Sequence, residues 1–155
     1  MAGSYSLGKS SAAVAVTGGG ILGEIAASSS ERLRVREVGV YMNSAAGGSV
    51  TVALGRPGNT PVGGTAALGN AEDPADPAAT GQVLTAGWST APTVPTVIFR
   101  QIVLPATVGA GVSWYWPPGD ELLCGVTRNL GLVIWDLAQT IAASQTCSIY
   151  AKWAE

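Results

Sequence analysis

The chain has 155 residues, only 12% of them charged, a net charge of −2 and no histidine. An ordinary soluble domain is about 25% charged, so polar cover is thin, and the usual base of nucleophilic or metal-assisted catalysis is missing. No basic field exists to neutralise phosphates, which argues against nucleic acid, and no apolar run is long enough for a membrane-spanning helix.

With 47% apolar residues and 21 glycines, much of the outside is expected to pack against copies of the chain or a larger assembly. The opening Met1-Ala-Gly-Ser-Tyr-Ser6 has no basic stretch leading into an apolar one, so synthesis in the cytoplasm without a secretory leader is expected.

The apolar period is mostly two, and Gly and Pro punctuate it, which predicts strands throughout. Residues 1–11, small and carrying Lys9, read as an extended arm. Short strands are expected over 12–16 and 21–27, with a turn at Thr17-Gly-Gly-Gly20 between them and a polar turn at 28–30. Residues 33–41 form the clearest early strand. Leu33 and Val35 share one face, but Val38 and Val40 fall on the opposite parity, so a β-bulge near Glu37-Val38-Gly39 is predicted. Val50, Val52 and Leu54 alternate with polar or small residues, and this strand is expected to form a hairpin with the preceding one.

Residues 55–81 differ. Arg56-Pro-Gly-Asn-Thr-Pro61, Gly63-Gly64 and Glu72-Asp-Pro-Ala-Asp-Pro77 are too rich in proline for a helix or central strand, and predict a long ordered loop. Loops of this length are usually functional or disordered, so an ordered one is a candidate contact element, with Arg56, Glu72, Asp73 and Asp76 as its candidate contact residues. The acidic cluster matches no EF-hand spacing.

Strands follow over 82–88, 97–104, 112–116, 122–126 and 130–137, and a last one carries Cys147, Ile149, Ala151 and Trp153 on one face. Residues 138–144 read as loop. Eight to ten short strands with frequent turns predict an all-β fold: a single antiparallel β-sandwich of jelly-roll type.

Few residues carry chemistry. Lys9 and Lys152 have no recognisable nucleophile beside them, and the carboxylates lie in turns next to Pro or Gly. No catalytic, cofactor or metal site is expected. Cys124 and Cys147 are expected as buried free thiols, with a bridge open only if their strands are neighbours. Arg32, Arg34 and Arg36 alternate along one strand face, either as a solvated row with cross-strand partners such as Glu24 or as a docking stripe for acidic protein. Trp88, between Gly87 and Ser89, is the tryptophan expected to be exposed, and an exposed indole stacks on sugar rings.

Asn59-Thr-Pro61, Glu72-Asp-Pro-Ala-Asp-Pro77, Trp88-Ser-Thr-Ala-Pro92, Leu104-Pro-Ala-Thr-Val-Gly-Ala-Gly111 and Trp114-Tyr-Trp116 resemble segments of small structural proteins of tailed bacteriophages. Several capsid decoration (cement) proteins of such phages are jelly rolls that sit as trimers on the shell. The resemblance implies a virion location, a homotrimer and the major capsid protein as partner; a tail-tip or head-fibre module that binds host glycans is the alternative.

Overall fold

A computed structural model describes residues 3–11, 17–28, 30–43, 49–140 and 146–155. Among them, strands run over β1 (Ser4–Ser10), β2 (Thr17–Ala26), β3 (Leu33–Met42), β4 (Val50–Arg56), β5 (Val62–Gly63), β6 (Ala66–Leu68) and β7 (Asn70–Ala71). They continue through β8 (Gln82–Leu84), β9 (Trp88–Thr90), β10 (Val97–Leu104), β11 (Gly111–Tyr115), β12 (Leu122–Cys124), β13 (Leu132–Thr140) and β14 (Cys147–Ala154). A single 3-10 turn covers Arg128–Leu130.

Two six-stranded antiparallel sheets carry the fold. One has the order β11-β3-β14-β1-β7, with β12 also paired to β3; the other runs β10-β4-β13-β2-β8-β6. Each of the consecutive pairs β1/β2, β3/β4, β10/β11 and β13/β14 is therefore split between the sheets. The inner orders β1-β14-β3-β11 and β2-β13-β4-β10 are those of a jelly roll, whose paired strands are distant in sequence. The sequence expectation of an all-β jelly-roll sandwich holds. The expected hairpin of β3 with β4 does not: the chain leaves one sheet after Met42 and enters the other at Val50.

The core lies between the sheets. Leu33, Val35, Val38 and Val40 of β3 and Ile149, Ala151 and Trp153 of β14 face Leu22, Ile25, Val52, Leu54, Leu132 and Ile134 of the opposing sheet. In β14 the burial alternates from Cys147 to Trp153, as its period-two pattern predicts. The phase slip in β3 has the predicted cause. Lys152 pairs with Glu37 but Trp153 pairs with Val35, so Arg36 is the extra residue and both flanking apolar pairs face inward. The bulge falls just before the expected Glu37-Val38-Gly39.

Three local expectations need correction. Residues 4–10 are not an arm but β1, paired with β14 over their whole length and with β7 on the other side. Thr17-Gly-Gly-Gly20 begins β2 rather than ending a strand. The 55–81 segment is ordered, as expected, but not all loop: its first residues finish β4, and β5, β6 and β7 interrupt the rest. β7 extends one sheet beyond β1, and β6 with β8 extends the other beyond β2. The strand expected over 12–16 and most of the loop expected over 138–144 lie outside the described residues.

This insertion is fastened to the core through Glu155. Its carboxylate accepts hydrogen bonds from Thr80 N (2.9 Å), Thr80 Oγ1 (2.8 Å), Gly81 N (2.6 Å) and Trp153 Nε1 (2.9 Å). Burial alone raises the Glu155 carboxyl, but these donors outweigh it and hold the group below the usual carboxylate range. Gly81 allows the close approach, because a Cβ there would lie 2.7 Å from Trp153 Nε1.

The two cysteines are free and buried. β3 explains why: β12 and β14 pair with its opposite edges, Cys124 at Leu33 and Cys147 at Met42. Burial pushes the Cys124 thiol up to about 12 and the Cys147 thiol up to about 11. A thiol-specific disulfide reagent should therefore label neither cysteine in the native protein and both in urea. Labelling of either under native conditions at neutral pH would contradict this packing.

Candidate contact surfaces

The residues singled out in the sequence do not converge on one site. Arg32 and Arg34 are exposed and make no ion pair or hydrogen bond among the described residues. Arg36, displaced by the bulge, is half-buried and pairs with Glu121, Nε to Oε1 at 3.4 Å. The Gly119 amide, 2.7 Å from Glu121, and Arg36 together hold that carboxyl below its ordinary range. The arginine row is thus broken after its second member, and its ionic partner is Glu121 rather than Glu24.

The other charged candidates act mainly within the chain. Lys9 Nζ donates to the Thr65 carbonyl at 3.1 Å, joining β1 to the insertion. Arg56 donates to the carbonyls of Leu123, Leu130 and Gly131 and stacks over Phe99, 5.2 Å from the ring centre. Glu72 meets Lys152 Nζ at 2.8 Å and accepts from Ser4 Oγ at 2.9 Å; Lys152 is the main reason its carboxyl lies below the usual range. Both partners are about one-third exposed, so the pair contributes about 0–1 kcal/mol. Asp73 caps its own turn through Ala75 N at 2.9 Å, and Asp76 accepts from Ser4 N at 3.3 Å.

Trp88 is half-buried, and its Nε1 donates to Glu24 Oε2 at 2.8 Å. It is not the free indole that the sequence led one to expect. Glu24 itself lies on the outer face of the second sheet, opposite Val133 and Leu84, yet is fully buried. Arg128 covers it, with Nε 2.9 Å from Oε1 and Nη2 on Oε2, and also donates to the Gly63 carbonyl. β2, β5, β9 and the 3-10 turn are pinned together there. The sequence clue was one glutamate in an otherwise apolar strand; nothing marked Arg128 as its partner.

A second buried charge stands without such support. Asp136 of β13 lies opposite the core residue Val52 and is 1% exposed, and its Oδ1 has no hydrogen-bond partner among the described residues. Burial pushes its carboxyl up to about 6. Among the described residues no three His, Cys, Asp or Glu side chains gather as metal ligands.

The least protected surface is one that sequence reasoning passed over. β10 and β11 form the same lateral edge of the sandwich, one in each sheet, and among the described residues neither has an outer neighbour. Val97, Ile98 and Val103 on β10 and Val108 on the following turn are 43–61% exposed. The opposite edge ends in β6 and β7, only three and two residues long. Long, flat, apolar edges invite pairing or packing with another chain, and proteins normally blunt them with charges, proline or short strands. Short strands are used on one side, where Leu68 of β6 is still 56% exposed; on the other, β10 is interrupted by a bulge between Ile98 and Arg100, carries the exposed Arg100 and is flanked by Pro95 and Pro105, yet keeps its aliphatic side chains outward.

Paired strand order, rather than any sequence motif, therefore defines the class: an eight-strand jelly roll with both sheets extended on one side. No family model matches the chain, and no curated protein matches it. Among solved structures it is similar to a chain of the virus-like particle of extra small virus from the giant freshwater prawn Macrobrachium rosenbergii. That similarity has a TM-score of 0.40 at 9% identity and covers 98% of this chain and 79% of the other. The virus is not a tailed bacteriophage, and at this TM-score the likeness adds nothing to the fold assignment made from strand order.

Proposed function

We propose that this chain is a structural protein of a virion, a decoration protein that seats as an oligomer on the outer shell of a tailed-phage capsid and bridges neighbouring capsid subunits. Its action is mechanical, not catalytic. The observation that carries the reading is the jelly roll's asymmetry: one lateral edge is closed by the insertion, while the other presents uncovered strands and exposed aliphatic side chains. A surface of that kind belongs to a subunit completed by its neighbours. Sparse charge and the resemblance to tailed-phage structural proteins support the same reading, and Arg32 and Arg34 are the guanidinium groups free to meet an acidic shell. The glycan-binding alternative is less favoured, because Trp88 is half-buried and its indole N–H is held by Glu24.

The test is the composition of the particle. Mass spectrometry of gradient-purified virions should find the protein in a copy number that scales with the capsid lattice, and a cryo-EM map should show it outside the shell. Virions that lack it sink the proposal; a location in the tail sinks the decoration role.

A further inference from the structure

One end of the sandwich, where β4 and β12 finish and β3 and β13 begin, carries a hollow of about 300 Å³. Leu123, Val126 and Leu130 line it, each 41–47% exposed, together with Gly125, Arg32 and Arg56. Arg56 builds its wall: by donating to the carbonyls of Leu123, Leu130 and Gly131 it ties β12 to the 3-10 turn. Gly125 lets the chain fold back there. Its amide meets the Leu130 carbonyl at 3.2 Å, and a Cβ would lie 2.6 Å from Leu130 Cδ1.

Positive charge borders this apolar hollow. Arg34 is exposed and pairs in register with Leu123, so both side chains leave the same face of the sheet. Arg32, two residues earlier at the entrance to β3, lines the hollow directly. Among the described residues no carboxylate pairs with Arg32, Arg34 or Arg56. The nearby acids are engaged or lie elsewhere. Glu24 is covered by Arg128, and Glu121 pairs with Arg36. Glu31 and Glu155 line a separate hollow that shares only Arg32 with this one. Three of the chain's eight cationic side chains therefore gather here without an ion-pair partner, in a protein whose net charge is −2.

We propose that this hollow docks an extended acidic segment of another protein, with two carboxylates on Arg32 and Arg34 and an aliphatic side chain among Leu123, Val126 and Leu130. The inference rests on the assembly reading above, which makes that other protein a subunit of the shell. Charge complementarity selects an acidic partner, since a guanidinium receives a carboxylate in a two-bond fork. Spacing selects its form. Residues 32 and 34 stand two apart on extended backbone, so their side chains start about 6.5–7 Å apart, the same repeat as side chains i and i+2 of a bound strand. The hollow is at the small end of ligand pockets and suits side chains of a peptide better than a whole small molecule. A second copy of this chain offers no such segment. No two of its acidic residues stand two apart, and the chain from Asp73 to Asp76 is bent into a turn, Asp76 N to the Asp73 carbonyl at 3.0 Å.

The probe is the acetylated and amidated peptide Leu-Ala-Asp-Ala-Asp-Ala-Leu, which presents the pattern in either chain direction. In a heteronuclear NMR titration of the full chain it should shift the amides of Arg32, Arg34, Leu123, Val126 and Leu130, and bind more weakly as salt rises. Arg32→Gln/Arg34→Gln removes two exposed side chains that hold nothing within the fold, and should weaken binding about tenfold. Val126→Ser should weaken it about fivefold by removing apolar contact. Circular dichroism should be unchanged in both, and the peptide with Asn in place of Asp should not bind. No shift at these residues, equal binding of the Asn peptide, or variants that bind like wild type each overturns the site. Inorganic phosphate that displaces the peptide while Val126→Ser has no effect overturns it in favour of a simple anion site. An oligomer that dissociates on Arg32→Gln/Arg34→Gln overturns it in favour of contact between copies. Virions decide the source of the segment. The double variant seated on them at wild-type copy number removes this interface and leaves the shell reading, whereas peptide binding by a protein absent from virions removes the shell reading and leaves the site.

Discussion

Arg128→Ala should lower the unfolding free energy by about 3–5 kcal/mol, the usual cost of leaving a buried charge without its partner. Glu24 is fully buried and Arg128 retains only 19% side-chain exposure, so water cannot replace the guanidinium without opening the structure. Among the described residues, only the Trp88 indole would still donate to the carboxylate. The loss is expected to loosen β5, β9 and the 3-10 turn first, because those are the segments that Arg128 joins to β2. Urea unfolding followed by tryptophan fluorescence would read the stability, and the Trp88 environment would change before the global transition. The double variant Glu24→Gln/Arg128→Met should recover most of the loss, since it leaves no charge buried. A single variant as stable as wild type would show that the pair does not hold the insertion.

Asp136→Asn should act in the opposite direction, and its effect should depend on pH. The Asp136 carboxyl is pushed up by burial from 3.8 to about 6. Between those values the folded protein keeps a proton that the unfolded chain has released, so stability falls as pH rises through this window. Above about pH 6 both states are ionised and the deficit is constant, at about 3 kcal/mol. Removing the charge should therefore stabilise the protein by about 1–3 kcal/mol at pH 7.5, less than the full deficit because the amide is still poorly hydrogen-bonded. At pH 3.5, where the carboxyl is protonated when folded and largely so when unfolded, the gain should nearly vanish. Unfolding curves at both values check this, and equal effects at the two would contradict it.

Local pattern and long-range order differ sharply in how far the sequence reveals them. The alternation from Cys147 to Trp153 shows which face is buried, because a strand between two layers has only two environments to choose from. The parity change between Val35 and Val38 shows a bulge for the same reason, and the structure moves it only to Arg36. Pairing partners are another matter. Val50, Val52 and Leu54 fit a hairpin with β3 as well as they fit the opposite sheet, since both arrangements bury the same side chains. A jelly roll chooses the second through contacts between β4, β13 and β10 that no local window contains. Proline in the 55–81 segment correctly excludes long strands, yet strands of two or three residues at a sheet edge need few backbone donors and escape that signal.

Most of the candidate contact residues turn out to be engaged within the chain. Arg32 and Arg34 are exposed and unpaired among the described residues, but Arg36, Arg56, Glu72 and Trp88 are held by partners within the chain. Charged side chains draw attention in so apolar a sequence. The more exposed feature is the aliphatic edge of β10, and Val97, Ile98 and Val103 look like ordinary core residues until the strand is known to lie at the end of its sheet.

The insertion that closes one flank also limits how the sandwich can propagate. A sheet able to accept a full-length strand at only one end is, in the language of polymerisation, monofunctional. Two such sheets meeting end to end consume both reactive sites, and the ribbon that an uncapped sandwich would seed terminates at its first link. β6 and β7 thus work as chain stoppers built into the subunit itself. Such a subunit can carry one exposed aliphatic flank at high concentration without running on into fibres.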